Sequence, residues 1–501
     1  MFDHVCSCGS RSEWCRAGAV LRCHDEWVSE TDGDAERRAA QAGGRRSARQ
    51  WSARAELAER AVRTRHLRRL WALPGTLLGV CGAPPTPAQR AFGPWNDWWQ
   101  AHVLDCLVDA YIRAPEPRRR VRVAVFVNSI RLRNGSGWLN DYYDDMAWLA
   151  LALQRAERWV GVRRRGAVGA LADALRSGWT DDSGGGIWWR LRDKYDEDFK
   201  NTPTNGPAAI LFARVRDPLG YDAGGWIERH LVDPQTGLVW DGVHLSHDGG
   251  IREIATARYT YCQGVYLGAC LELAAWGQDG GPGVWGVRAA RTVEAVAEHL
   301  TRAVPADGAA RYAIETAVGA PAGGGAGSGG GAGISSAAGI SGRAGISSRA
   351  GISSGVGTGG AAGMGGRAGI GGGVRSSAGV ASVGAGMGAG GTGRVLNGQG
   401  GGDGGLFAGI LARYLARAAL SLPDFGPEFA DAAGLAADLV FDSADAAWAN
   451  QAVGPAGPVF GPEWSRPADW PHGHGLPEGD LSVQAGAWML LEAAALLARS
   501  L

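Results

Sequence analysis

The 501-residue chain is 45% hydrophobic and balances 50 lysines and arginines against 50 aspartates and glutamates, so its formal net charge is zero. That balance supplies no global field to draw it onto nucleic acid or an anionic membrane, and neither is expected as a partner. The length is enough for a large core, either as two to four ordinary domains or as one large one.

Residues 1–48 are polar and rich in Arg, Ala and Gly, without a periodic apolar face, which predicts a disordered N-terminal extension. Cys6, Cys8, Cys15 and Cys23 lie there beside His24. Their spacing fits no paired Cys-x-x-Cys framework, which leaves zinc the lesser reading, and no metal is assigned. The opening holds no apolar run of secretory length and no later stretch reads as a membrane span, so the chain is expected to be cytoplasmic. In that compartment Cys81, Cys106, Cys262 and Cys270, set in apolar patterns, read as buried free thiols.

A helical pattern begins in "SARAELAERAVRTRHLRRLW", where Leu57, Ala61, Leu67 and Leu70 are among the apolar positions and arginines lie opposite. Further helices are predicted in the segments starting at Trp95, Asp144, Gly166, Asn205, Tyr259, Gly286, Leu406, Glu428 and Leu481. About ten helices joined by short loops, with few period-two stretches, predict an all-α domain over 49–501 built of stacked helical hairpins. The enclosed form of that architecture is an α/α toroid with its sites in the loops at one end. Within it, residues 318–404 turn to Gly, Ala and Ser, with Ala-Gly-Ile-Ser recurring from Ala332, Ala338, Ala344 and Ala350. The repeat dissolves after Ser354 and buries little, so a disordered insert is expected rather than a solenoid, with the two helical halves closing across it.

The chemistry centres on "DYYDDMAW". Acidic residues in a first helical turn are ordinary, since they suit the free N–H groups and the positive dipole end. Two adjacent ones, Asp144 and Asp145, crowded by Tyr142, Tyr143 and Trp148, are harder to explain as caps alone. Burial and mutual repulsion raise carboxyl pKa values, and a glycosidase needs one carboxyl to give a proton and another to act as nucleophile or base. A second pair, Asp181 and Asp182, precedes Ser-Gly-Gly-Gly and reads equally well as a turn. Next to it, Trp188 and Trp189 offer flat faces for sugar rings, although most of the 21 tryptophans are expected in the core. Asn201, Thr202 and Asn205 offer hydroxyl partners, with an N-cap role for Asn205 as the alternative.

Together, "DDMAWLALA" (144–152), "GGGIWW" (184–189), "KNTPTNGPA" (200–208), "YTYCQG" (259–264), "GDGGLFAGILARYLA" (402–416) and "SVQAGAWMLLEAAA" (482–495) resemble glycoside hydrolase family 76, the endo-α-1,6-mannanases. The resemblance covers about residues 50–501 outside the insert. It implies an (α/α)6 barrel, a retaining mechanism without metal or cofactor, and a mannan or mannooligosaccharide substrate. Asp144 becomes the nucleophile and Asp145 the general acid/base, with Tyr143, Trp188, Trp189, Asn205, Tyr259, Tyr261 and Gln263 lining the sugar groove. Cys262 stands where the family's pattern has a polar residue. The competing readings are another toroid sugar enzyme, either an epimerase or an unsaturated uronyl hydrolase, and a non-catalytic sugar-binding scaffold. His230, His244 and His247 lie outside the motifs, which weighs against a histidine-based epimerase.

Overall fold

The computed structural model describes residues 47–93, 95–192, 196–277, 282–305, 392–470 and 476–501. Among these, twelve long helices follow one another: α1 Ala48–His66, α2 Asp97–Arg113, α3 Pro117–Arg133, α4 Tyr143–Arg155, α5 Ala167–Ser177, α6 Thr202–Arg214, α7 Leu219–His230, α8 Thr260–Trp276, α9 Gly283–His299, α10 Gly404–Phe425, α11 Ala430–Ala449 and α12 Leu481–Ser500. The even-numbered helices touch in succession from α2 to α12, and α12 returns to α2, which closes an inner ring. The odd-numbered helices pack outside it, α3 on α2, α5 on α4 and so on to α11 on α10, with α1 on α12. This is the expected (α/α)6 barrel.

Residue type explains the two rings. The outer α1 buries one stripe that includes Trp51, Ala55, Ala58 and Val62, whereas α12 buries every residue from Leu481 to Ala495. A helix apolar all round is stable only when neighbours cover every side. Glycine lets the inner helices meet closely: a Cβ on Gly409 of α10 would lie 2.4 Å from the carbonyl oxygen of Gly486 on α12. Helices α10 and α12 are long and apolar enough to cross a bilayer, which corrects the expectation that no stretch is; both are mostly buried as inner staves of the barrel.

The C-terminal halves of the inner helices are tied by charge. Asp105 and Asp109 of α2 each pair with both Arg155 of α4 and Arg413 of α10. Glu272 of α8 pairs with Arg214 of α6 at 2.8 Å and with Arg417 of α10 at 3.3 Å. Buried ions are tolerated because each carboxylate is doubly matched, and removing one partner would leave an uncompensated charge inside the ring.

Two helices escape the sequence pattern. In α3 the run Arg-Val-Arg-Val alternates like a strand, and α7 carries two adjacent glycines that weaken a helical reading.

Nine short strands complete the described chain: β1 Leu67–Arg68, β2 Leu78–Gly79, β3 Phe199–Asn201, β4 Gly242–Leu245, β5 Ile251–Ala255, β6 Thr301–Pro305, β7 Thr392–Leu396, β8 Ala452–Gly454 and β9 Gly457–Val459. Strands β3, β4 and β5 form an antiparallel sheet at the N-terminal ends of α6 and α8. Strands β6 and β7 pair from Thr301↔Leu396 to Pro305↔Thr392. Residues 392–404, which the composition had assigned to the insert, therefore belong to the barrel: Leu396 N–H donates to Ser443 Oγ of α11 at 3.0 Å. The remainder of the insert, 318–391, and the cysteine-bearing extension 1–46 lie outside the described residues.

Candidate active site

Each inner helix begins at the same end of the barrel, so six positive dipole ends converge there. The chain places acids at them. Asp97 is the first residue of α2, Asp144 and Asp145 lie in the first turn of α4, and Asp403 is the N-cap of α10. Asp241, immediately before β4, accepts the Thr202 N–H at the start of α6 through its backbone carbonyl at 2.7 Å, and its carboxyl lies within electrostatic reach of Asp144.

The two central aspartates are bonded differently. Asp144 Oδ1 accepts the Asp145 backbone N–H at 2.8 Å, and Oδ2 accepts the indole N–H of Trp189 at 3.0 Å. Both oxygens are thus acceptors, one of them from a free N–H of the first turn of α4. Asp145 Oδ2 accepts from Asn140 Nδ2 at 3.1 Å, while Oδ1 takes no hydrogen bond from any described residue. Burial raises Asp144 to about 6, opposed by hydrogen bonds from the Asp145 N–H, the Trp189 indole and its own backbone N–H. Asp145 is pushed well above the carboxylate range by burial, then by the charges of Asp144, Asp97 and Asp403. Burial and Asp144 also raise Asp241 to about 7, and burial raises Asp403, which accepts from Trp99 Nε1 at 2.8 Å. Among the described residues no arginine or lysine forms an ion pair with any of these acids. Such a site suits a neutral ligand rich in hydroxyl donors.

An aromatic wall stands beside the acids. Tyr261 stacks on Phe407 with ring centres 4.0 Å apart, Tyr259 lies 5.3 Å from Phe407, and Trp98 lies 6.3 Å from Tyr261. Trp189 adds a second surface against Tyr142 at 5.6 Å. Tyr142, Trp189, Tyr259, Tyr261 and Trp98 are each partly exposed, as faces for sugar rings must be.

Of the residues expected from the sequence, Asp144, Asp145, Trp189, Tyr259 and Tyr261 come together here, and four do not. The Tyr143 ring is buried against Gly178 at the end of α5. Trp188 is 2% exposed, with its N–H on Thr180 Oγ1 at 3.1 Å and the Lys200 ammonium 4.8 Å over its ring. Asn205 is fully buried and bonds Ile187 N–H at 2.8 Å and Ile187 C=O at 2.9 Å, while Asn201 is the true N-cap of α6. Gln263, also fully buried, bonds Val239 N–H at 2.7 Å and Val239 C=O at 2.8 Å.

The last two belong to a repeated device. The fourth residue of α2, Gln100, holds Gly79 N–H and C=O, and the fourth of α12, Gln484, holds Phe460 N–H and C=O. Four inner helices thus carry at their fourth position an amide that clamps the backbone of the preceding loop. The clamp of Asn205 on Ile187 fixes the segment bearing Trp189. Lys200 secures the same segment by donating to the carbonyls of Thr180, Asp182 and Gly185.

Sequence reading missed Asp97, Asn140, Asp241, Asp403, Trp98 and Phe407. Asp403 and Phe407 sit inside "GDGGLFAGI", so their motif was visible, while Asp241 carries no local signal. Cys262, the departure from the family pattern, donates its thiol to Asp241 Oδ1 at 3.9 Å and is buried, as are Cys81, Cys106 and Cys270.

Residues 79–318, which include Asp97, Asp144, Asp145, Trp189 and Asp241, match the model of glycosyl hydrolase family 76. The GH76A α-1,6-mannanase from Salegentibacter sp. HEL1_6 is 25% identical with a TM-score of 0.59, over 89% of this chain and 99% of its own. A variant of that enzyme inactivated at two adjacent aspartates, solved with α-1,6-mannotriose, is 24% identical with a TM-score of 0.59, over 89% and 99%. The Listeria innocua protein Lin0763 is 22% identical with a TM-score of 0.60, over 90% and 98%. No curated protein matches the chain in sequence. With the (α/α)6 ring and the paired aspartates at its N-terminal end inside the matched span, this chain carries a glycosyl hydrolase family 76 domain over residues 79–318 and is a glycoside hydrolase.

Proposed function

We propose that the protein cleaves α-1,6-mannosidic bonds in mannan or mannooligosaccharides with retention of configuration, Asp144 acting as nucleophile and Asp145 as general acid/base. The observation that carries the division of roles is the unequal bonding of the pair. Asp144 accepts at both oxygens, which favours its anion, whereas Asp145 has one oxygen without a donor in a setting that favours its proton. An oxygen of Asp144 attacks C1 as Asp145 passes its proton to the glycosidic oxygen, and the C1–O bond breaks with its electron pair going to that oxygen. Asp145, now ionised, takes a proton from water, whose oxygen attacks C1 and releases Asp144. The linkage is supported by the α-1,6-mannanase similar to this chain and by the mannotriose held by its inactive variant. The family match over residues 79–318 supports this reading over the epimerase, uronyl hydrolase and scaffold readings.

The test is proton NMR of α-1,6-mannotetraose during digestion. The α-anomer of the product is expected first, and Asp144→Asn or Asp145→Asn should abolish turnover. Initial release of the β-anomer would overturn retention, and turnover surviving in both variants would overturn the assignment of the pair.

A further inference from the structure

Asn140 lies in the loop between α3 and α4 and joins two acids that come from different helices. Its Nδ2 donates to Asp97 Oδ2 at 2.8 Å and to Asp145 Oδ2 at 3.1 Å, one amide hydrogen to each, and its Oδ1 accepts the Tyr142 N–H at 2.9 Å. The amide is therefore fixed at all three positions and cannot rotate to present its oxygen to Asp145. Asp97, 8% exposed, is fixed in turn: Asn134 Nδ2 bonds both of its oxygens at 3.1 Å. Together Asn134, Asp97 and Asn140 form an uninterrupted line of polar contacts ending on Asp145.

We propose that Asp97 and Asn140 are positioning residues that set the proton on Asp145, Asn140 by occupying Oδ2 with a donor so that the proton resides on Oδ1, and Asp97 by orienting Asn140 and placing a second negative charge behind it. The proposal rests on the reading of Asp145 as the general acid. A protonated carboxyl bonded by an N–H at one oxygen keeps its hydrogen on the other, which turns an ambiguous acid into one with a fixed direction of transfer. The charged and titratable groups facing Asp145 are Asp144 on its own helix, Asp97 on α2 and Asp403 on α10, all acidic. Burial raises the pKa of Asp97, opposed by its bonds from Asn140 and Asn134 and last by Arg133 at the end of α3, which acts on Asp97.

Two substrates separate this role from a structural one. α-1,6-Mannotriose needs its leaving oxygen protonated, whereas α-1,6-mannobiosyl fluoride leaves with little help. For Asn140→Ala, kcat/KM on mannotriose should fall by about 100-fold, the scale of general acid catalysis, and on the fluoride far less. For Asp97→Asn, which keeps the shape and removes the charge, the alkaline limb of kcat/KM should move to lower pH, because the charge that raises Asp145 is gone. Equal losses on both substrates, no loss on either, or an unmoved alkaline limb overturn the proposal. Wild-type protein that hydrolyses neither substrate overturns the reading beneath it instead, and melting curves of each variant identify any that fails to fold.

Discussion

The Trp189 indole donates to Asp144 Oδ2 at 3.0 Å, while the Trp189 carbonyl accepts the Tyr143 N–H at 2.9 Å, so one residue both bonds Asp144 and holds the helix that carries it. Trp189→Phe keeps the ring and the backbone bond but removes the donor. A hydrogen bond to a charged group contributes about 1.5–3 kcal/mol, and the bond favours the Asp144 anion, so its loss raises a pKa that already stands at about 6. The nucleophile must be ionised. The acid limb of kcat/KM is therefore expected near pH 6 in the wild type and about one unit higher in Trp189→Phe, as read from pH–rate profiles on mannotriose. An acid limb near pH 4 in the wild type would contradict the burial assigned to Asp144.

Asn205 and Gln263 show what sequence could and could not reveal. Both stand in family motifs, both are polar, and both were read as sugar ligands; the structure places them under the loops, with each amide satisfied by backbone. Nothing local separates a buried clamp from a ligand, because burial is decided by which loop lies over the helix. The ring of helices was legible because α8, α10 and α12 carry long apolar patterns, and the limits of α12 match the predicted segment from Leu481 to Ser500. The buried aspartate pair was legible because it is contiguous. Asp97, Asp241 and Asp403 were not, since the fold gathers them from helix starts and loops far apart in sequence.

The clamp reading has its own consequence. Gln263→Leu leaves the buried Val239 N–H and C=O without their partner, at about 1–3 kcal/mol for each unsatisfied group. The melting temperature should drop by several degrees, while KM for mannotriose measured well below the melt should stay within about twofold, on the reasoning that the change reports lost loop anchoring rather than lost sugar contact. A large rise in KM at unchanged stability would return Gln263 to the sugar groove.

Asp241 carries an electrostatic cost. Its folded pKa of about 7 exceeds the ordinary 3.8, so the native state favours the protonated form. That contribution is fully present below pH 3.8, declines as the unfolded chain ionises and is gone once pH passes about 7, where the buried anion must be carried. Asp241→Asn keeps a similar shape without the charge. It should melt at least about 2 °C above the wild type at pH 8 and show no gain at pH 4, by calorimetry at both values. A gain of equal size at both values would mean that repacking, not charge, is responsible.

The register Pro305↔Thr392 brings the two sides of the glycine-rich segment together as antiparallel strand partners. Such partners lie only about 5 Å apart, a gap that a two-residue Asn-Gly turn can close. The flanking strand is anchored independently, by Leu396 on Ser443 at 3.0 Å and by the Asn397 N–H on the Leu300 carbonyl at 3.0 Å. Replacing residues 306–391 by Asn-Gly should therefore give a folded barrel, and because loop-closure entropy grows only slowly with length, its melting temperature should equal or slightly exceed that of the full chain. Circular dichroism and mannotriose hydrolysis on the shortened protein provide the check. Loss of cooperative melting would show that the hairpin is held from outside its own strands, and a folded but inactive barrel would show that residues 306–391 act on the site that Asp403 and Phe407 line from the next helix.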